Sequence, residues 1–204
     1  MRDVILVHGL WVPSLVMRPL ALRLAHRGWR CHLFGYSGRT LTLGAHAERL
    51  ARFARGIGAA HFAGHSFGGL VVLEALGAEP TLQAGAVVLL GAPALGCMAG
   101  RRQADHALGR WTLGAAEPLF REGRRAHWTR DEPLGVIAGS VPFGIGRLAR
   151  KLPGVNDGVV RLEETTVDGM RARIVLPVSH SGMLLSAQVA AQLDRFLRDG
   201  RFDA

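Results

Sequence analysis

Ser66 stands in Gly64-His65-Ser66-Phe67-Gly68, a G-x-S-x-G pentapeptide set between an apolar run and a helical stretch. A serine hydroxyl is a weak nucleophile at neutral pH. It needs a base to take its proton, a third group to orient that base, and donors for the oxyanion that develops on an acyl carbon. The strand-turn-helix context reads as a nucleophile elbow, with Gly64 and Gly68 leaving room for the turn and Gly69 letting the next helix pack closely. Ser66 then opens a helix whose dipole favours the negative charge of the reacting carbonyl. The alternative is a serine that caps a helix in a glycine-rich turn. A second signal, His8-Gly9-Leu10-Trp11, follows the first apolar run, where a loop must turn back beside the serine. The amides of Leu10 and Phe67 are the expected oxyanion hole, and the ring of His8 is expected to brace the loop.

The elements that must position these groups follow from the periodicity. Short apolar runs alternate with amphipathic stretches, the pattern of strand-helix-strand units around a mostly parallel sheet with helices on both faces. Val4–Val7, Trp29–Phe34, Ala59–Ala63, Ala86–Leu90, Leu134–Ala138 and Ile174–Leu176 are the predicted strands, about six in all. Met17, Leu20, Ala21 and Leu24 mark a first helix closed by Gly28. Leu43, Ala47, Leu50, Ala51 and Ala54 mark a second, ending near Gly56 and Gly58; Leu70–Leu76 follow Ser66, and Leu185, Val189, Leu193 and Phe196 build the last. His26, His46 and His106 are expected on helices, His32 and His61 on strands. Ala94–Arg130 carries no clear period and is expected to hold covering helices or loops.

At 204 residues the chain, 1–204, is expected to be one domain. Its hydrophobic fraction of 49% suffices for a core and argues against disorder. Cys31 and Cys97 are isolated, so no zinc site, metal, cofactor or disulfide framework is expected. The opening run Val4–Val7 is too short for a signal peptide, which with the cysteines points to the cytoplasm. Thr81–Gly100 is interrupted by glycines and Pro93, so no membrane insertion is expected. The net charge of +9 is spread over short pairs such as Arg101-Arg102 and Arg124-Arg125, and Lys151 is the only lysine. With no basic stripe interleaved by aromatics, nucleic acid is not an expected partner.

His8-Gly9, the elbow at Ser66, Asn156-Asp157-Gly158-Val159-Val160 and Ser179-His180 come in an order that resembles the α/β-hydrolase family and, within it, bacterial lipases and esterases. The resemblance implies an α/β-hydrolase fold over nearly the whole chain, a Ser-His-Asp triad in which Asp157 is the acid and His180 the base, and a small-molecule acyl ester as substrate. The residues are compatible with this. His180 follows Leu176-Pro177-Val178 and so lies at the carboxyl end of a strand, as a site on such a sheet requires. Asp157 lies beyond Leu134–Ala138, whereas its competitor Asp131 precedes that strand and falls at the opposite end of the sheet. An Asx-turn for Asp157 and a capping or loop role for His180 are the alternatives. Only Ala94–Arg130 is available for a minimal cap, which favours an open site and the word esterase over lipase. Trp11, Phe67, Met98, Trp111 and Phe143 are read as core ahead of an acyl pocket. A thioesterase, amidase or acyltransferase on the same triad, or a binding protein without chemistry, are the rival functions, and the oligomeric state is left open.

Overall fold

The computed structural model describes every residue except 38, 39, 124, 144–151 and 204. Arg124 and Lys151, part of the basic complement above, lie outside the described residues. Six strands are observed: β1 (Asp3–Val7), β2 (Arg30–Phe34), β3 (Ala60–His65), β4 (Ala84–Leu90), β5 (Leu134–Gly139) and β6 (Ala172–Leu176). They form one sheet in the order β2-β1-β3-β4-β5-β6. All five neighbouring pairs are parallel. The chain leaves β1 towards β2, then returns past β1 to β3 and continues outward, so the order reverses between β1 and β3. The crevice outside the carboxyl ends at such a reversal is where α/β sheets bind ligands.

Because a parallel sheet is covered on both faces, its strands are apolar throughout and successive residues serve opposite cores. Ile5 and Val7 of β1 join Phe62, Val87, Leu89 and Val136 in one core with α2 (Leu43–Ile57) and α3 (Phe67–Ala78). Val4 and Leu6 join Ala63, Val88, Leu90 and Ile137 in the other, with α1 (Arg18–Ala25) and α7 (Ala187–Asp199). The helices carry their own stop and start signals. Thr42 caps α2 by accepting from the Ala45 amide at 3.3 Å, and Gly58 ends it at φ 90°. Ser186 caps α7 from the Val189 amide, and Gly200 closes it in the left-handed region.

Several local expectations change. The strand expected over Ala59–Ala63 continues to His65, because Gly64 and His65 keep their ladder with Leu89 and Leu90. Leu185 was expected on the last helix; it precedes Ser186, lies outside α7 and is exposed. His106 was expected on a helix and instead precedes α5 in extended backbone. His26 sits just past the last residue of α1. The aperiodic Ala94–Arg130 segment folds into three short helices, α4 (Met98–Ala104), α5 (Ala107–Leu113) and α6 (Glu117–Glu122), whose one or two turns are too brief to print a period. No helix among the described residues is long and apolar enough to cross a membrane.

Candidate active site

β3 delivers Ser66 at its carboxyl end, and α3 starts with the next residue. Ser66 is held at φ 55° and ψ −127°, and the only other non-glycine residue at positive φ among those described is Trp11. Such backbone costs on the order of 1–3 kcal/mol and persists only where its surroundings over-determine it. The surroundings here are close. A Cβ on Gly68 would meet the carbonyl oxygens of His8 and Val7 at 2.3 and 2.5 Å, and one on Gly64 would meet the Gly69 Cα at 2.5 Å. The Ser66 amide donates to the Leu90 carbonyl at 2.8 Å, which ties the turn to β4.

Asp157 and His180 come from the connections after β5 and β6, and the structure brings both to Ser66. His180 Nε2 lies 2.9 Å from Ser66 Oγ, and His180 Nδ1 lies 2.7 Å from Asp157 Oδ2. A carboxylate can only accept, so Nδ1 carries a proton, and in the neutral imidazole Nε2 is then the acceptor to which the serine hydroxyl donates. Asp157 Oδ1 accepts from the amides of Val159 and Val160 at 2.9 and 2.8 Å. This satisfies its second oxygen and fixes the carboxyl plane. Asn156 Oδ1 accepts from the Gly158 amide at 3.0 Å, so Asn156 and Asp157 both close Asx-turns, and Asp157 does so with Oδ1 while its Oδ2 faces His180. Both Asp157 and His180 are buried. Gly91, the first residue after β4, makes room for the pair. It sits at φ 55°, and a Cβ there would lie 2.9 Å from Asp157 Oδ2 and 3.2 Å from His180 Nδ1. The sequence offered a signal for Gly91 only in its place at a strand's carboxyl end. Asp131 lies before β5, at the far edge of the sheet, and is exposed.

The loop after β1 lies against the serine. A Cβ on Gly9 would be 3.1 Å from Ser66 Cβ, and Leu10 follows it. Phe67 is the first residue of α3, so its amide is among those with no acceptor inside the helix. His8 braces this loop. Its Nδ1–H donates to the Gly9 carbonyl at 2.7 Å, and its Nε2 accepts from the Tyr36 amide at 3.2 Å. Tyr36, which the sequence gave no reason to single out, returns a hydrogen bond from its hydroxyl to the His8 carbonyl at 2.7 Å and stacks on the His8 ring. Burial pushes the Tyr36 hydroxyl pKa up and the His8 pKa down, so both stay neutral and hold one hydrogen-bond pattern.

Of the five residues read as core, Phe67 is buried, but Trp11, Trp111 and Phe143 are exposed at 54%, 62% and 77%. Trp11, Trp111, Gln103 and Thr112 line a groove of about 230 Å³. Its polar atoms are engaged: Trp11 Nε1 donates to the Thr112 carbonyl, Gln103 Nε2 to Thr112 Oγ1, and Thr112 Oγ1 to the Gly109 carbonyl. The groove therefore offers mainly aromatic carbon. Among the described residues no group of three or more His, Cys, Asp or Glu could hold a metal ion. Burial raises the thiol pKa of Cys31 to about 11 and of Cys97 to about 12, leaving neither suited to act as a nucleophile at neutral pH.

This architecture matches solved structures over nearly its full length. A Bacillus licheniformis lipase in its mature form superposes with a TM-score of 0.72 at 18% identity, over 97% of this chain and 91% of that one. An esterase from Thermogutta terrifontis gives 0.68 at 15%, over 97% and 90%. An esterase from Exiguobacterium antarcticum gives 0.67 at 14%, over 98% and 92%. At such identities the likeness is one of fold. The mature lipase is nearly matched in length by this chain. No curated protein sequence matches the chain. The model of the alpha/beta hydrolase family matches residues 4–200. The chain belongs to the alpha/beta hydrolase family.

Proposed function

We propose that this protein is a serine hydrolase that cleaves carboxylic esters, with Ser66 as nucleophile, His180 as general base and acid, and Asp157 as the group that orients it. The observation that carries this reading is the unbroken run from Asp157 Oδ2 through His180 to Ser66 Oγ, at 2.7 and 2.9 Å, ending on a serine in strained backbone at the start of α3. The amides of Leu10 and Phe67 are the oxyanion hole in this reading. Residues 1–204 are read as one hydrolase domain.

Ser66 Oγ attacks the acyl carbon as His180 Nε2 takes its proton, and the carbonyl oxygen becomes an oxyanion beside the two amides. Imidazolium formed on His180 faces the Asp157 carboxylate. As the tetrahedral intermediate collapses, the bond to the alkoxide breaks and His180 returns the proton to it. Water then attacks the acyl-enzyme with His180 as base, which frees the acid and restores Ser66. The bacterial lipase and esterases of like fold support an oxygen ester as substrate. Assays with p-nitrophenyl acetate and butyrate test it: wild type turns over, and Ser66→Ala and His180→Ala, checked for folding, lose about 10⁴- to 10⁶-fold in kcat. Matched thioester and amide substrates separate a thioesterase, an acyltransferase or an amidase from an esterase. Inert wild type that also resists fluorophosphonate labelling would sink the reading in favour of a binding protein.

A further inference from the structure

His65 is buried beside the reacting groups and takes no part in the steps above. Its Nε2–H donates to the backbone carbonyl of His180 at 2.9 Å, and the two rings lie 4.7 Å apart, tilted by 46°. The opposite backbone group of His180, its amide, donates to the Asp157 carbonyl at 2.8 Å. Both polar backbone atoms of the base are thus fixed, one by the acid's own residue and one by the neighbour of the nucleophile. His65 and Ser66 are consecutive, so the dipeptide that presents the hydroxyl also grips the residue that must deprotonate it. The connection after β6 carries His180 between Val178 and a 3-10 turn at Gly182–Leu184, and has no regular element there to set its distance from β3.

We propose that His65 is a positioning residue that sets the reach of His180 Nε2 to Ser66 Oγ by holding the His180 carbonyl. The proposal rests on the hydrolase reading. A core histidine serving only to fill space would need no donor aimed at the base. Here the donor is used, while Nδ1 of the same ring is buried without a protein partner among the described residues, near Gly9. Leaving a buried ring nitrogen unpaired has a cost, and the contact to His180 is what the ring gains. Neutrality also matters, because imidazolium forms on His180 during each turnover. The groups facing His65 are His180, Asp157 and His8, and burial lowers the His65 pKa to about 3, so no second cation competes with His180 at working pH.

The test compares His65→Gln, whose amide nitrogen can occupy the place of Nε2, with His65→Asn, which falls short of it, and His65→Leu, which removes the donor at similar bulk. Misplacing a catalytic group by about 1 Å can cost on the order of 100-fold. The expected result with p-nitrophenyl butyrate is a kcat loss of about 10- to 100-fold in His65→Leu and His65→Asn, with KM within twofold, and recovery to within about threefold in His65→Gln. The low-field proton resonance of the Asp157–His180 hydrogen bond should shift or broaden in the first two variants and return in the third. Folded His65→Asn or His65→Leu with unchanged kcat would overturn the proposal. So would a folded His65→Gln as impaired as His65→Asn, which would make the role one of shape alone. If His65→Leu does not fold, the Asn and Gln pair decides. Wild type without turnover or labelling would remove the hydrolase reading and this inference with it.

Discussion

The two ends of the sheet carry unlike hollows. Before the strands begin, Met1, Arg2, Gly28, Trp29, His61, Leu197 and Arg198 line a cavity of about 490 Å³, roughly twice the groove at the carboxyl end. Yet its polar atoms hold the fold together. Trp29 Nε1 donates to Asp194, His61 Nδ1 accepts from the Ala86 amide, and Arg198 donates to Asp194 and to the Arg27 carbonyl. The groove at the carboxyl end is smaller, but the two positive-φ non-glycine residues among those described and the whole Asp157-His180-Ser66 run are at that end. Volume measures how elements fail to meet. Converging polar groups on strained backbone mark where the fold has been made to bear a cost, and that is the better guide to chemistry.

The largest effect that would break this contrast comes from paired carboxamides. Asp157→Asn at the carboxyl end should cost about 10³- to 10⁴-fold in kcat by disturbing the His180 tautomer. Asp131→Asn, at the other end and exposed, should leave kcat within twofold; equal effects in a p-nitrophenyl butyrate assay would end the argument. Next in size, Trp111→Ala should lower kcat/KM about tenfold for aryl or long-chain esters and leave acetate unchanged. Trp29→Phe in the larger cavity should change neither. A uniform loss across substrates in Trp111→Ala would mean that the groove supports the cap and binds nothing.

Stability against pH probes both ends at once. Burial lowers the pKa of His8, His61 and His65, the last from the ordinary 6.5 to about 3. As pH falls the unfolded chain takes up these protons before the folded chain does, so the stability that these neutral rings confer is full above pH 6.5 and is lost as pH falls, in the case of His65 progressively towards pH 3. Urea midpoints should therefore be flat from pH 7 to 8 and fall steeply below 6, and a His65→Gln variant should show a shallower fall. The smallest expected effect is the change in stability of Ser66→Gly. Relief of the positive φ, offset in part by glycine's entropy, should raise Tm by about 2–4 °C in a chain of this size while removing activity.

The sheet, its six strands and both helical layers were legible because each strand is a continuous apolar run and the long helices carry clear stripes. Ser66 could be singled out from its glycines, whereas Asp157 and His180 came from the resemblance to bacterial lipases and esterases, with which their places beyond strand ends agree. The site's supports were not legible. His65 meets His180 across 115 positions, and the Tyr36 hydroxyl meets the His8 carbonyl across 28. Such contacts depend on side-chain direction in three dimensions and leave no period in the chain. The cap was unreadable for a different reason, since α4, α5 and α6 are each seven residues or fewer. The exposure of Trp11 and Trp111 ran against the ordinary preference of tryptophan for burial, which is why composition placed them in the core.

The wholly parallel sheet also has a consequence in time. No strand pair closes through a hairpin, and synthesis runs from the amino end. β1, β2 and β3 are adjacent in the sheet and made within the first 65 residues, so the strand that carries Ser66 has β1 beside it early and gains β4 by residue 90. Asp157 and His180 emerge only after β5 and β6. On the ribosome Ser66 therefore precedes both, and under the proposed function a chain cut short before residue 180 would carry the hydroxyl without the base that activates it.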